Sequence, residues 1–231
     1  MKNLFLALFV FFITFQSFSQ ATDTKENSAN FNTGFQGNIN TSGMWVPSSS
    51  KNNSITGSVY LFPNFTGQFT VVTKKGDSRQ LFNLNYNLKT KTLESFISKD
   101  SVFQYDLDQF DYVIASNKKY KIINEPQLKG LVLEIFNGQK LKLFNEINIE
   151  VQNGVLNPMT QTMINEDKYI RISSYYLFLN GNQVKIKLSK SDILKQLIDK
   201  KDLLKEFASK NDLSFSKEDD VNKILKHYDS L

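Results

Sequence analysis

Phe82-Asn83-Leu84-Asn85-Tyr86-Asn87-Leu88 alternates apolar and amide side chains without a break. Side chains of a strand point to opposite faces in turn, so this period of two predicts a half-buried antiparallel strand with one apolar and one amide face. The same texture extends to either side. Upstream, Val59-Tyr60-Leu61-Phe62 and Gln68 to Thr73 read as strands, with a turn at Lys74-Lys75-Gly76-Asp77. Downstream, Thr92 to Ile97, Ser101 to Tyr105, Tyr112 to Ala115 and Lys119 to Ile123 read as further short strands.

Three Asn-Gly dipeptides punctuate the second half of the chain. Asn137-Gly138 divides the apolar runs 131–136 and 140–144, and Asn180-Gly181 divides 169–179 from 184–188. Asn and Gly tolerate the positive φ of a type I′ turn, so both pairs predict hairpins. Asn153-Gly154 instead opens a poorly patterned stretch with Pro158, which predicts a projecting loop running to about Asp167. From Ser189 the period changes to that of a helix. Ser189 and Asp192 resemble a capping box ahead of Ile193, Leu194, Leu197, Ile198, Leu204, Phe207 and Ala208. Ser216 and Asp219 open a second helix carrying Val221, Ile224, Leu225 and Tyr228 on one face. The fold class expected is therefore mainly β (α+β). It comprises an antiparallel, hairpin-rich sheet, as a sandwich or partly open barrel, followed by a C-terminal pair of amphipathic helices.

At the other end, Lys2 precedes the apolar run Leu4 to Phe15, and Ser17-Phe18-Ser19 supplies small residues for cleavage before Gln20. This has the form of a secretory signal peptide and is too short to span a bilayer, which takes about 20 apolar residues. The organisation expected is a signal peptide over 1–19, a flexible Asn/Ser/Thr-rich leader over 20–56, a β domain over 57–188 and packed helices over 189–231. Phe31, Phe35, Met44 and Trp45 give the leader aromatic and apolar points for local docking.

The chain has no cysteine, which excludes disulfides, thiolate metal sites and a thioether-linked lipid anchor. Loss of residues 1–19 removes one Lys and no acid, so the formal charge falls from +5 to +4. Arg79 and Arg171 are the only arginines, and the lysines are spread among acids. Nucleic-acid recognition favours the planar fork of arginine, so nucleic acid is not an expected partner.

Several stretches together resemble a group of uncharacterised exported proteins of flavobacteria and other Bacteroidetes. These are Gly57-Ser58-Val59-Tyr60-Leu61-Phe62, the Asn-Leu-Asn-Tyr-Asn strand at 83–87, Gly138 between two apolar strands, and the ending Lys226-His227-Tyr228-Asp229-Ser230-Leu231. The resemblance covers residue 57 to the end. It implies a Gram-negative envelope or secreted setting and carries over no active site.

His227 is the single histidine, which excludes two-histidine metal centres and stands against a Ser-His-Asp triad. As a lone base it competes with a plain solvated helix end. Asp106 and Asp108 point to the same side of an extended segment, in the manner of a carboxylate pair for Ca²⁺ or glycoside hydrolysis, but a turn before Phe110 accounts for them more simply. Trp45, the only tryptophan, suits stacking on a sugar or peptide, against ordinary packing. Asp100-Ser101-Val102 and Asp229-Ser230-Leu231 fit a loose acidic–hydroxyl–apolar pattern for O-glycosylation. No cofactor or metal site is expected. The reading favoured is a non-enzymatic envelope protein that binds another envelope protein or a glycan, in the periplasm or secreted, and not membrane-spanning once the signal is removed. Two alternatives are a carbohydrate-active hydrolase using paired carboxylates and a small β-barrel carrier of an apolar ligand. A chain ending in helices matches neither an outer-membrane barrel nor a C-terminal β sorting domain, so the periplasm is preferred to the cell surface.

Overall fold

The alternating stretch 82–88 does not stay in one sheet: it crosses from one to the other at Leu84. A computed structural model describes residues 42–48, 55–98 and 101–231. The segment read as a signal peptide, most of the leader with Phe31 and Phe35, and Asp100 lie outside the described residues. Four strands, β1 (Gly43–Pro47), β4 (Asn85–Asn87), β5 (Thr92–Ser98) and β6 (Ser101–Tyr105), form a small sheet in the order β1-β6-β5-β4. Eight more form a larger one. They are β2 (Thr66–Thr73), β3 (Ser78–Asn83), β7 (Phe110–Ala115), β8 (Lys118–Glu125), β9 (Leu128–Asn137), β10 (Leu141–Gln152), β11 (Lys168–Leu179) and β12 (Asn182–Ile186). Their order is β12-β11-β10-β9-β8-β7-β2-β3, and every ladder in both sheets is antiparallel.

The expected two-faced strand fails from its first residue, because Phe82 is 53 % exposed while Leu81 is buried in its place, and the pattern does not recover at Asn83. Beyond it Leu84, Tyr86 and Leu88 enter the core, but Asn85 and Asn87 are also just 1 % exposed. The amide face is covered because residues 58–65 fold back over it. The Asn85 amide donates to the carbonyls of Phe62 (3.1 Å) and Asn64 (3.2 Å) and accepts from the N–H of Phe62 and Tyr86 (both 2.9 Å). Asn87 accepts from the N–H groups of Lys89 and Thr90, which shapes the β4–β5 turn. Its amide donates to Glu94, which is itself 1 % exposed and also accepts from Tyr60, Thr92 and Gln104. A layer that reads as solvent-facing is thus an internal polar network, as burial of polar groups demands.

Both sheets feed one apolar core, including Tyr86, Leu93 and Phe103 from the small sheet and Val71, Val113 and Leu143 from the large one. The sheets do not close into a barrel. The space between them is filled by these side chains, so the lumen that a barrel carrier needs is not formed by the described residues. Residues 21–56 show no strand period, yet Gly43–Pro47 pairs with β6 as an edge strand.

The helical end differs in detail from its pattern. The first expected helix is broken into α1 (Lys190–Gln196), a 3-10 turn (Ile198–Lys200) and α2 (Lys201–Lys210). The Ser189 hydroxyl caps α1 by accepting from Asp192 N–H (3.3 Å), while Asp192 accepts from Lys187 N–H (2.9 Å). The last helix, α3 (Glu218–Ser230), begins two residues after Ser216, which does not cap it. Leu197, Leu204, Val221 and Ile224 are fully buried in the shared core, so the helices complete the fold.

Both expected hairpins are present, with different turn chemistry. Asn180 and Gly181 both have positive φ (52° and 78°), as a type I′ turn requires. The β7–β8 turn at Ser116-Asn117 does the same without glycine (49° and 60°). At Gly138 the loop is held from outside, because the carboxylate of Asp229 on α3 accepts from Lys140 N–H (2.8 Å) and Gln139 N–H (3.1 Å). Those two bonds hold the Asp229 carboxyl below its ordinary 3.8, the Lys140 bond contributing most. A carboxyl depressed in the fold stabilises it above the unfolded value and loses that contribution as the pH falls through the folded one. The amides of Gln139 and Lys140 should therefore stay protected in hydrogen exchange at neutral pH and lose protection below about pH 4. In Asp229→Asn their protection should be weaker at neutral pH and free of this acid step.

Candidate functional site

The large sheet is split along its middle. The ladder between β9 and β10 spans only Leu133–Asn137 against 142–145. Past that point β10 continues with β11 alone and β9 with β8 alone. The β4–β5 hairpin of the small sheet enters the gap. Tyr86 Oη accepts from Leu131 N–H (3.1 Å), and Lys91, with φ +58° at the tip of the turn, donates from Nζ to Glu146 Oε1 (3.1 Å) and to the side-chain oxygen of Asn148. Glu146 Oε2 also accepts from Tyr176 Oη (3.4 Å). Burial first, and then the nearby Glu146 carboxylate, push the Tyr176 phenol up.

A cleft of about 420 Å³ opens beside this wedge, with Ile122, Ile123 and Leu128 in its floor and Asp108, Asn124 and Lys129 at its rim. Its size and mixed lining suit a small amphipathic molecule. Asp108 and Glu146 share the cleft, but Glu146 already binds Lys91 and Tyr176. A general base needs an accessible lone pair within reach of the reacting proton. Glu146 is taken up by the wedge in this way, while Asp108 stands exposed at the rim.

Of the residues singled out from sequence, only Asp108 reaches this cleft. Asp106 lies in the same turn as its N-cap, its Oδ1 accepting from Asp108 N–H (3.0 Å), which is the turn role weighed against a carboxylate pair. Trp45 is 47 % exposed on β1, edge-on to Phe103 with centroids 5.4 Å apart. His227 stacks on Phe207 (4.0 Å, 13° between planes) in a groove between α2 and α3 that includes Lys223 and Lys226. These four residues therefore form no common site. Ser230 donates to His227 O (2.7 Å) and Ser101 pairs with the Ser98 hydroxyl (2.9 Å). Among the described residues no cluster of three or more His, Asp or Glu side chains is placed to hold a metal ion. Sequence reading missed Lys91, Glu146 and Glu94, whose roles depend on pairings between distant segments.

The second feature is the loop between β10 and β11, residues 153–167, which is better ordered than its pattern suggests. Leu156 and Met163 form a bridge, Ile164 N–H donates to Val155 O (2.7 Å), and Asn157 N–H donates to Thr162 O (2.8 Å). Side chains complete the frame: Asn165 Oδ1 accepts from Val155 N–H (2.6 Å), Asn157 Oδ1 from Met159 N–H (2.9 Å) and Asp167 Oδ1 from Gly154 N–H (2.8 Å). On this frame Val155, Leu156, Met163 and Ile164 are exposed, and Met159 at the tip is 93 % exposed. Large apolar side chains gathered this way mark interaction surfaces. Compared with known protein families, curated proteins and solved structures, the chain matches none.

Proposed function

We propose that this chain is a non-enzymatic exported protein of a Gram-negative cell envelope, which acts by binding through its β10–β11 loop. Residues 1–19 serve as the export signal and the mature chain starts at Gln20, in the periplasm or secreted. The likeness to exported flavobacterial proteins supports the address. The observation that carries the binding role is the hydrogen-bonded loop with its five exposed apolar side chains. A preformed surface loses little conformational freedom on binding.

Expression of the full chain in a Gram-negative host tests the address: the exported product should have the intact mass of a chain starting at Gln20. An uncleaved chain retained in the cytoplasm would contradict it. For the binding role, the loop is grafted down to a two-residue turn and the exported protein is fractionated from the envelope. Wild type should sediment with envelope material and the trimmed form should remain free, with the same thermal midpoint. Equal distribution of the two would refute the loop as the binding element.

A further inference from the structure

The geometry points to a lipid surface as the occupant of the β10–β11 loop, with the tip around Met159 inserted at the boundary between headgroups and acyl chains. This rests on the binding reading above and names its partner class. Three observations favour lipid over a protein partner. First, no residue between Glu150 and Glu166 carries a charge, so nothing in the tip opposes entry into a low-dielectric layer. Second, several polar side chains of the loop are turned inward onto its own backbone or onto one another. Asn157 and Asn165 bind backbone N–H groups, Thr160 and Thr162 bind each other (2.7 Å), and Gln161 binds Pro158 O (3.3 Å). Backbone entering lipid must be satisfied internally, whereas a protein interface is usually specified by polar groups left free to pair. Third, the tip is small. A stable protein interface takes about 20–30 residues a side, whereas membrane partition scales with the apolar area inserted and needs no complementary partner.

The charges that border the loop set the lipid preference. Glu150, Glu166 and Asp167 stand beside Lys168, so the rim is not basic. Binding is therefore driven by the apolar tip and is independent of anionic lipid, despite the positive charge of the whole chain. A single acyl chain gives association constants of about 10⁴ M⁻¹, which bounds what a tip of this size supplies.

The test is flotation of the chain starting at Gln20, and of the full chain in parallel, with vesicles of pure phosphatidylcholine and vesicles containing phosphatidylglycerol. Wild type should float with both at millimolar lipid, unchanged between 0.1 and 0.5 M salt on the order of a Debye-screening control. Met159→Asp should reduce the bound fraction about tenfold. Met159 is 93 % exposed, so the change leaves the fold intact, and an unaltered thermal midpoint verifies this. Ile164→Asp should act in the same direction. Absence of flotation, equal flotation of the Met159→Asp form, or binding that needs phosphatidylglycerol and dissolves in salt would each overturn the lipid assignment. If vesicles fail but Met159→Asp still releases the protein from envelope fractions, the lipid inference falls while the binding reading survives. If neither changes, both fall.

Discussion

Replacing Asn85 by Leu should be among the most damaging single changes in the protein, lowering stability by about 3–5 kcal/mol. The residue is 1 % exposed and its amide makes four bonds, two as donor and two as acceptor. Leucine nearly preserves volume, so the loss falls on polar groups rather than on packing. The N–H and carbonyl of Phe62 and the carbonyl of Asn64 would lose partners, at about 1–3 kcal/mol for each that stays buried. Asn85→Asp should be as harmful, because a carboxylate would face two carbonyls that need donors. Chemical denaturation reads the effect as a lower midpoint with an unchanged slope. A wild-type midpoint in either variant would show that 58–65 does not depend on this amide.

Gly130→Ala is expected to cost about 3–5 kcal/mol for two separable reasons. Gly130 has φ +108°, a conformation that side chains strain, and a Cβ there would collide with Tyr86 Oη. Tyr86→Phe removes the colliding oxygen but leaves Leu131 N–H without its acceptor, at about 1–2 kcal/mol. The double variant should therefore be less destabilised than the sum of the singles, by about 1 kcal/mol or more. Additivity would place the damage in backbone strain alone. The phenol offers an independent readout, since burial pushes it up to about 12. An acid whose pKa is raised by folding stabilises below its unfolded value and loses that contribution as the pH rises through the folded one. Wild type should thus weaken progressively above pH 10, and Tyr86→Phe should flatten that alkaline limb.

Much of the architecture was legible because hydrophobic period and turn chemistry act locally. The strands around 110–123, the Asn180-Gly181 turn and the apolar faces of the C-terminal helices follow from residues close in sequence. What was hidden depended on segments that meet only in the fold. Asn83 to Asn87 alternates as an exposed amide face would, and nothing local announces that 58–65 folds back to bury it. The break at Leu197–Lys200 lies inside a continuous apolar helical pattern, whose period does not register a 3-10 turn. Gly43–Pro47 is defined by the register it finds on β6 rather than by its own period. At the candidate sites, Asp108 and the loop at 153–167 were visible because acids and long unpatterned stretches stand out. Lys91 and Glu146 were not, being 55 residues apart and joined only through the split sheet.

That split also dictates an order of events in time. The strands from β7 to β12 pair with their neighbours in sequence, so each hairpin closes a short loop except β10–β11, which closes the 153–167 loop. The wedge joins Tyr86 to Leu131 and Lys91 to Asn148, across 45 and 57 positions, and its closure entropy is larger. The meander should form before the wedge is seated, leaving the wedge contacts outside the transition state. Tyr86→Phe, which removes only the wedge contact to Leu131, would then accelerate unfolding while barely changing the folding rate, so that this tyrosine governs how long a folded molecule lasts more than how quickly it is made.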